Sequence, residues 1–173
     1  MALSDAIYQS LSNLSGAIND KLNALFSSIN ADQWTALSNT ESNTFTPEFA
    51  DANSGGNQAA SVTATGEYAR SGDVVTVIIK LNNINTTGMT GVNDIFIRNL
   101  PFRVASNSNA VLGLVEPSNI TYTGNLLAYG VAGQTYMKIV DIASSTSPAY
   151  LTVAAVNAAS SDLKISITYR TDV

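Results

Sequence analysis

Apolar side chains recur along the first thirty residues with a spacing that fits an α-helix. Leu3 and Leu14 are eleven residues apart, as are Ile7 and Ile18. Eleven residues in three turns is a period of about 3.67 residues, close to that of a straight helix, so the apolar positions stay on one face. The pattern predicts a helical segment over residues 1–30 with an apolar stripe, which consists of Leu3, Ile7, Leu11, Leu14, Ile18, Leu22, Leu25 and Ile29.

This apolar stripe needs a covering surface, because the rest of the predicted helix is rich in Ser and Asn. The helix can fold onto its own chain's domain, lie against a larger partner surface, or pack against copies of itself. Self-association is favoured, since the eleven-residue repeat persists and is surrounded by polar residues such as Asn13, Asn19 and Lys21. The stripe is therefore predicted to be an oligomerisation face in a helical bundle.

Residues 31–61 are predicted to be a connector, because a few aromatic residues stand there among Ser, Thr and Asn. Asp51, Asn53 and Gly55 resemble the start of a calcium-binding loop. The twelfth position of such a loop would be Val62, where a calcium loop has Glu, so a surface turn is the favoured interpretation.

From Val62 onward the hydrophobic period changes from helical to two. Val75, Val77, Ile79 and Leu81 share one face of a predicted strand, and residues 163–170 alternate between apolar and polar positions, which indicates strands with a buried face. Val74 and Ile78 make the first of these apolar on both faces, so either it is central to the domain or its second face meets a neighbouring subunit. Seven or so short strands separated by turns predict an antiparallel β-sandwich or jelly-roll-like domain over residues 62–173. Further strands are expected at residues 62–69, 94–99, 110–115, 136–142 and 150–156.

Charge and residue types narrow the possible chemistry. The 173-residue chain has 8 Lys and Arg against 13 Asp and Glu, a net charge of −5, so the basic surface that nucleic acid requires is missing. It contains no Cys and no His, which excludes disulfides, thiolate or imidazole metal ligands and a Ser-His-Asp triad. Glu67 and Asp73 flank a predicted hairpin, and paired carboxylates hydrolyse glycosidic bonds, but solvated hairpin charges are the favoured interpretation. We expect no enzymatic activity, no cofactor and no metal site.

No apolar run reaches the roughly 18 to 20 residues that a membrane span needs, so membrane insertion is not expected. The N-terminus also lacks the basic region of a signal peptide.

Four tyrosines in the C-terminal half are candidates for ligand binding. Segments rich in Gly, Asn and Ser join them, and this composition suits stacking on sugars and hydrogen bonding to hydroxyl groups. The alternative is that most of them cover the domain core or a seam between subunits. Tyr122 and Tyr129 stand beside Gly124 and Gly130 and are predicted to be the exposed, ligand-binding pair. The full set is Tyr122, Tyr129, Tyr136 and Tyr150.

Three motifs follow one another in the C-terminal two thirds of the chain. Gly66 and Tyr68 precede a turn at Gly72 and a Val-rich strand, Leu100-Pro-Phe ends a later strand, and a strand containing Tyr169 comes last. Gly72 suits a turn with positive φ, and the proline ends a strand because it lacks a backbone donor. The order of these motifs resembles a β-domain of bacteriophage tail fibres and related virion proteins.

That resemblance implies a homotrimer attached through its N-terminal region, with the β-domain outward and the three stripes joined in a short trimeric bundle. The expected function is that of a phage virion structural protein, a short tail fibre that mediates adhesion to the host surface. A capsid decoration protein or head fibre of the same build is the alternative; a carbohydrate-degrading spike and a non-viral, lectin-like adhesin are less favoured. Expected partners are copies of the chain, another virion protein at the N-terminus and a host-surface glycan or protein. The expected location is the virion, assembled in the host cytoplasm.

Overall fold

The protein consists of a helical unit and a β unit. A computed structural model describes residues 3–28, 40–108, 111–143, 149–157 and 160–172. The two units span residues 1–38 and 39–173. The first contains helix α1, Leu3–Ser28, and the second contains antiparallel strands. The prediction of a mainly β protein with an N-terminal α-helix is therefore confirmed.

Helix α1 forms over the segment that carries the eleven-residue repeat. Some of its polar side chains bond to its own backbone: the Ser10 hydroxyl donates to the Ala6 carbonyl at 2.9 Å, and the Ser27 hydroxyl donates to the Asn23 carbonyl at 2.7 Å. Ile29 and the side chain of Leu25, both assigned to the stripe, lie outside the described residues.

The described residues of the second unit form ten strands of one antiparallel sheet. The sheet order is β1-β3-β4-β10-β6-β7-β8-β5-β2, and β9 pairs with β8. The strands are β1 Glu41–Phe45, β2 Glu48–Ala50, β3 Ser61–Ser71, β4 Val74–Asn85, β5 Phe96–Arg98, β6 Val111–Ser118, β7 Asn125–Gly130, β8 Met137–Ile142, β9 Ala149–Tyr150 and β10 Ser161–Arg170.

One hydrophobic core joins the two halves of this sheet. The alternating residues of β4 and β10 that were predicted to be buried lie in it, and Val75, Val77 and Ile79 are fully inaccessible to solvent. Phe49 of β2 and Ile139 of β8, from the far half of the sheet, belong to the same core. Because the inner faces of distant strands meet in one core, the antiparallel sheet is curled.

The second half of residues 31–61, the predicted connector, contributes two strands to the sheet. Strand β1 pairs with β3, and β2 pairs with β5. Phe49 is 1% exposed, so this segment supplies part of the core. The strands escaped prediction because they are short and because β1 is exposed over Glu, Ser, Asn and Thr and so has no alternation of apolar and polar residues.

Two further differences concern the C-terminal half. Residues 150–156 were expected to form one strand, but after β9 the chain enters a short 3₁₀ turn, Val153–Ala155, whose Val153 is buried. Strand β7 was not predicted, and its buried residues Leu126 and Ala128 alternate with partly exposed ones. An apolar alternation of so few residues gives a weak sequence signal.

The motif residues that carried the resemblance have structural roles in the β unit. Gly72 adopts φ +62° in the turn between β3 and β4. A Cβ on Gly66 would lie 2.5 Å from the ring of Phe45, so glycine leaves room for that ring across the strand pair. The Tyr169 hydroxyl donates to the Phe102 carbonyl at 3.1 Å and is held in the core.

Candidate functional site

Helix α1 presents its apolar stripe to solvent. The six stripe residues whose side chains are described are between 46% and 79% exposed in the single chain: Leu3, Ile7, Leu11, Leu14, Ile18 and Leu22. Because a row of exposed Leu and Ile side chains gains free energy when another apolar surface covers it, α1 is suited to assembly.

A cluster of aromatic rings around a lysine lies on the outer face of the β unit. Lys138 of β8 pairs in register with Tyr129 of β7 on one side and with Phe96 of β5 on the other. Its ammonium group lies 4.8 Å from the centre of the Phe96 ring and 4.0 Å from the centre of the Tyr150 ring. The rings of Tyr129 and Tyr150 are 6.3 Å apart. The register thus gathers side chains from four strands.

The lysine of this group is also paired with a carboxylate. Lys138 Nζ lies 2.9 Å from Asp94 Oδ2, and both side chains are partly buried. The ring of Tyr136 meets Phe96 edge to face, with 5.4 Å between the ring centres. We call Phe96, Tyr129, Tyr136, Lys138 and Tyr150 together the lysine–aromatic cluster.

A polar cavity adjoins this cluster at Tyr136. Its volume is about 460 Å³. We call it the Arg98 cavity; its lining consists of Glu48, Asn53, Ser54, Gly55, Gly56, Gln58, Arg98, Asn99, Thr135 and Tyr136. Amide, hydroxyl and carboxylate groups dominate this lining, and Tyr136 is its aromatic member.

Arg98 holds the loop that forms one wall of the cavity. Its guanidinium donates to Glu48 Oε2 at 3.1 Å and to the Gly55 carbonyl at 2.8 Å, with a longer contact of 3.3 Å to the Ala52 carbonyl. The arginine therefore fixes the loop between β2 and β3 and is neutralised by Glu48.

Asp51 also fixes the loop between β2 and β3. It is 3% exposed. Its carboxylate accepts hydrogen bonds from the backbone and the amide of Asn57, at 2.7 and 3.0 Å, and from Thr90 N at 2.9 Å. Burial raises the pKa of Asp51, but the hydrogen bonds from Thr90 and Asn57 outweigh that effect, so the pKa lies below its usual 3.8. Both carboxylate oxygens are therefore engaged within the loop that was compared with a calcium site.

A second apolar surface lies on the outer face of the central strands. Val74 and Ile78 of β4 are 41% and 46% exposed, and Leu112 and Leu114 of β6 are 49% and 73% exposed. Ile78 and Leu114 flank Ser166 of β10 in one cross-strand row. We call Val74, Ile78, Leu112 and Leu114 the outer apolar patch. Strand β4 is thus interior to the sheet order, while its second face remains uncovered within the single chain.

The sequence-based binding residues divide between two places. Tyr129 belongs to the lysine–aromatic cluster, together with the wider candidates Tyr136 and Tyr150. Tyr122 is 44% exposed in the turn before β7, and the ring contacts found in the described ranges do not include it. Asp141 holds that turn by accepting from Thr123 N and Gly124 N, both at 2.8 Å.

The carboxylates considered for glycosidic chemistry are not opposite each other. Glu67 pairs in register with Ile78, whereas Asp73 lies in the turn and forms an ion pair with Arg170. That ion pair lowers the pKa of Asp73. The described part of the chain holds no group of three acidic, His or Cys side chains arranged to bind a metal.

Sequence reasoning missed Phe96, Lys138 and Arg98 as members of a surface site. Phe96 and Arg98 share the short strand β5 and Lys138 lies in β8, so only the pairing of β5 with β8 and of β2 with β5 shows which side chains surround them. Among the described residues, no helix combines the length and apolar character needed to cross a bilayer. No protein-family model, curated protein or solved structure matches the chain.

Proposed function

We propose that the chain is a structural protein of a phage particle, a short homotrimeric tail fibre that attaches the particle to the host surface. The exposed apolar stripe of α1 is the observation that carries the proposal. Copies of the same helix have a stripe of the same length and pattern and can therefore bury it. Three parallel copies would share the stripe in a short bundle and hold three β units together.

The β unit supports this proposal with two surfaces. In the proposed fibre, the two halves of the curled sheet of the β unit act as the facing layers of a sandwich or jelly-roll-like domain. The outer apolar patch contacts a neighbouring subunit, since Ile78 and Leu114 are apolar side chains without a cover in the single chain. The lysine–aromatic cluster and the Arg98 cavity then provide the adhesive surface, directed at a host glycan or protein.

Light scattering on the full-length protein tests the assembly. We expect a mass three times the 18.1 kDa of the single chain. A monomeric mass at micromolar concentration overturns the trimer.

Binding assays separate adhesion from the alternatives of the same build. Attachment of the purified protein to host cells supports a tail fibre located on the virion, whereas binding to capsids without binding to cells selects a capsid decoration protein or head fibre. Release of reducing sugar from host polysaccharide, abolished by Glu67→Gln, would instead identify a carbohydrate-degrading spike.

A further inference from the structure

We propose that the Arg98 cavity binds a neutral saccharide unit, and that the lysine–aromatic cluster continues the site along a saccharide chain. This inference rests on the proposed adhesive function and names the class of ligand. It is carried by the chemistry of the cavity wall, by the charge balance of its ionised groups and by the contact between Tyr136 and Phe96.

The size and lining of the cavity suit a small hydroxylated ligand. A volume of about 460 Å³ falls within the range of roughly 300 to 1,000 Å³ that small-molecule sites occupy. The lining offers both donors and acceptors, in the amides of Asn53, Gln58 and Asn99 and the hydroxyls of Ser54 and Thr135. Each hydroxyl of a sugar is both a donor and an acceptor, so such a mixed wall matches a sugar better than an apolar molecule.

Charge balance favours a neutral sugar over an acidic one. Arg98 already pairs with Glu48 at 2.9 Å, and its remaining described bonds go to loop carbonyls. Lys138 pairs with Asp94 in the same way. Neither cation is free for a ligand carboxylate, and Glu48 and Asp94 would repel one.

The aromatic rings provide the apolar complement of a sugar ring. Tyr136 belongs to the cavity wall, and its edge-to-face contact with Phe96 leads to Lys138, Tyr150 and Tyr129. The C–H faces of pyranose rings pack on aromatic faces while their hydroxyls bond at the rim. Tyr136 is therefore the aromatic surface of the cavity itself, and the neighbouring rings extend the site for a longer oligosaccharide.

The cavity wall is also fixed before any ligand binds. Asp51 and Arg98 together hold the loop through backbone groups of Asn57, Ala52 and Gly55. A wall already ordered in the free protein loses little conformational freedom on binding, which favours weak ligands such as single saccharide units.

Full-length protein on a glycan array tests the inference. The array carries neutral oligosaccharides of hexoses and N-acetylhexosamines beside matched oligosaccharides that contain uronic or sialic acid. We expect binding to neutral members, unchanged by high salt because no charge on the ligand is screened. By calorimetry with the best neutral oligosaccharide, Tyr136→Ala and the exposed Gln58→Ala should each weaken binding by about tenfold, which corresponds to about 1.4 kcal/mol.

Asn125→Ala is the matched control for Gln58→Ala, because it removes an exposed amide of the same unit outside the cavity lining. We expect its affinity to equal that of the unaltered protein, and light scattering and thermal unfolding establish that all variants are folded and assembled. Binding of acidic members only overturns the inference. So does a Tyr136→Ala or Gln58→Ala variant that binds the neutral oligosaccharide as tightly as the unaltered protein does. Attachment to host cells without any binding to the array overturns the saccharide site and leaves the adhesive function standing. Absence of attachment to cells overturns the adhesive function itself.

Discussion

Replacement of Ile18 by Asn in the centre of the α1 stripe is the sharpest perturbation of the proposed assembly. Ile18 is 51% exposed in the single chain, so assembly into a bundle would bury this exposed half of its surface. Full burial of such a side chain contributes about 1.5 to 3 kcal/mol, so each copy gains roughly 1 kcal/mol from assembly at this position. The Ile18→Asn variant loses that gain.

The introduced amide adds a second cost. A buried amide without partners costs about 1 to 3 kcal/mol, and three symmetric copies enter the same seam. The loss is therefore about 2 to 4 kcal/mol per copy and roughly 6 to 12 kcal/mol per trimer. At about 1.4 kcal/mol per tenfold, a loss of this size lowers the association constant of the trimer by about four orders of magnitude or more.

Sedimentation or light scattering over a range of protein concentrations measures the outcome. We expect Ile18→Asn to be monomeric at micromolar concentration, where the proposed assembly makes the unaltered chain trimeric. Ser12→Asn is the matched control, because it introduces the same amide about 120° around the helix from Ile18, at about 100° per residue. A trimeric Ile18→Asn variant refutes the reasoning, since the β units would then hold the assembly without the stripe.

Three further predictions concern the β unit and are measured by urea unfolding. Gly113→Ala should lower the free energy of unfolding by about 3 kcal/mol, because the new Cβ would lie 2.5 Å from Ile167 Cβ. A free energy of unfolding that falls by less than an ordinary surface substitution lowers it would contradict this packing. Tyr169→Phe should cost about 1 kcal/mol, since the Phe102 carbonyl loses its 3.1 Å hydrogen bond, and an unchanged midpoint would count against that bond. The ionised form of Asp51 stabilises the fold above its unfolded pKa of 3.8, and this contribution is lost as the pH falls through its lower folded pKa. Stability should therefore decline on acidification below about pH 4, less steeply in Asp51→Asn, and equal slopes would argue against the assigned hydrogen bonds.

The elements predicted correctly are those that can be recognised from the hydrophobic period of their own residues alone. Strands β4 and β10 alternate over many residues because one face of each packs into the core, so a period of two is visible without knowledge of their neighbours. Helix α1 was visible for the same reason, since its eleven-residue repeat extends over several turns. Strand β2 has three residues and was hidden, although its Phe49 is among the most buried side chains.

The candidate site was only partly visible because it depends on strand order. Tyr129, Lys138 and Tyr150 lie on the consecutive strands β7, β8 and β9, whereas Phe96 of β5 is distant in the sequence and joins them only through the pairing of β5 with β8. Composition singled out the tyrosines, but it cannot show which of them share a face, because a shift of one residue in register moves a side chain to the other face. Tyr122 shows this limit: it has the same composition around it as Tyr129 and lies outside the cluster.

In the proposed trimer, the α1 stripe cannot be shared fully among three helices and at the same time bind the proposed virion partner. Two other exposed aromatic residues of α1 offer a way to divide these roles, since Tyr8 is 74% and Phe26 is 56% exposed. They are 18 residues apart, five full turns, so they lie in one line, about 80° around the helix from Ile18. That line borders the stripe, so in the proposed bundle it would stay at the margin, where the proposed virion partner could reach it. The double variant Tyr8→Ser, Phe26→Ser should therefore remain trimeric by light scattering while its incorporation into particles falls, whereas loss of the trimer would place both residues inside the bundle seam.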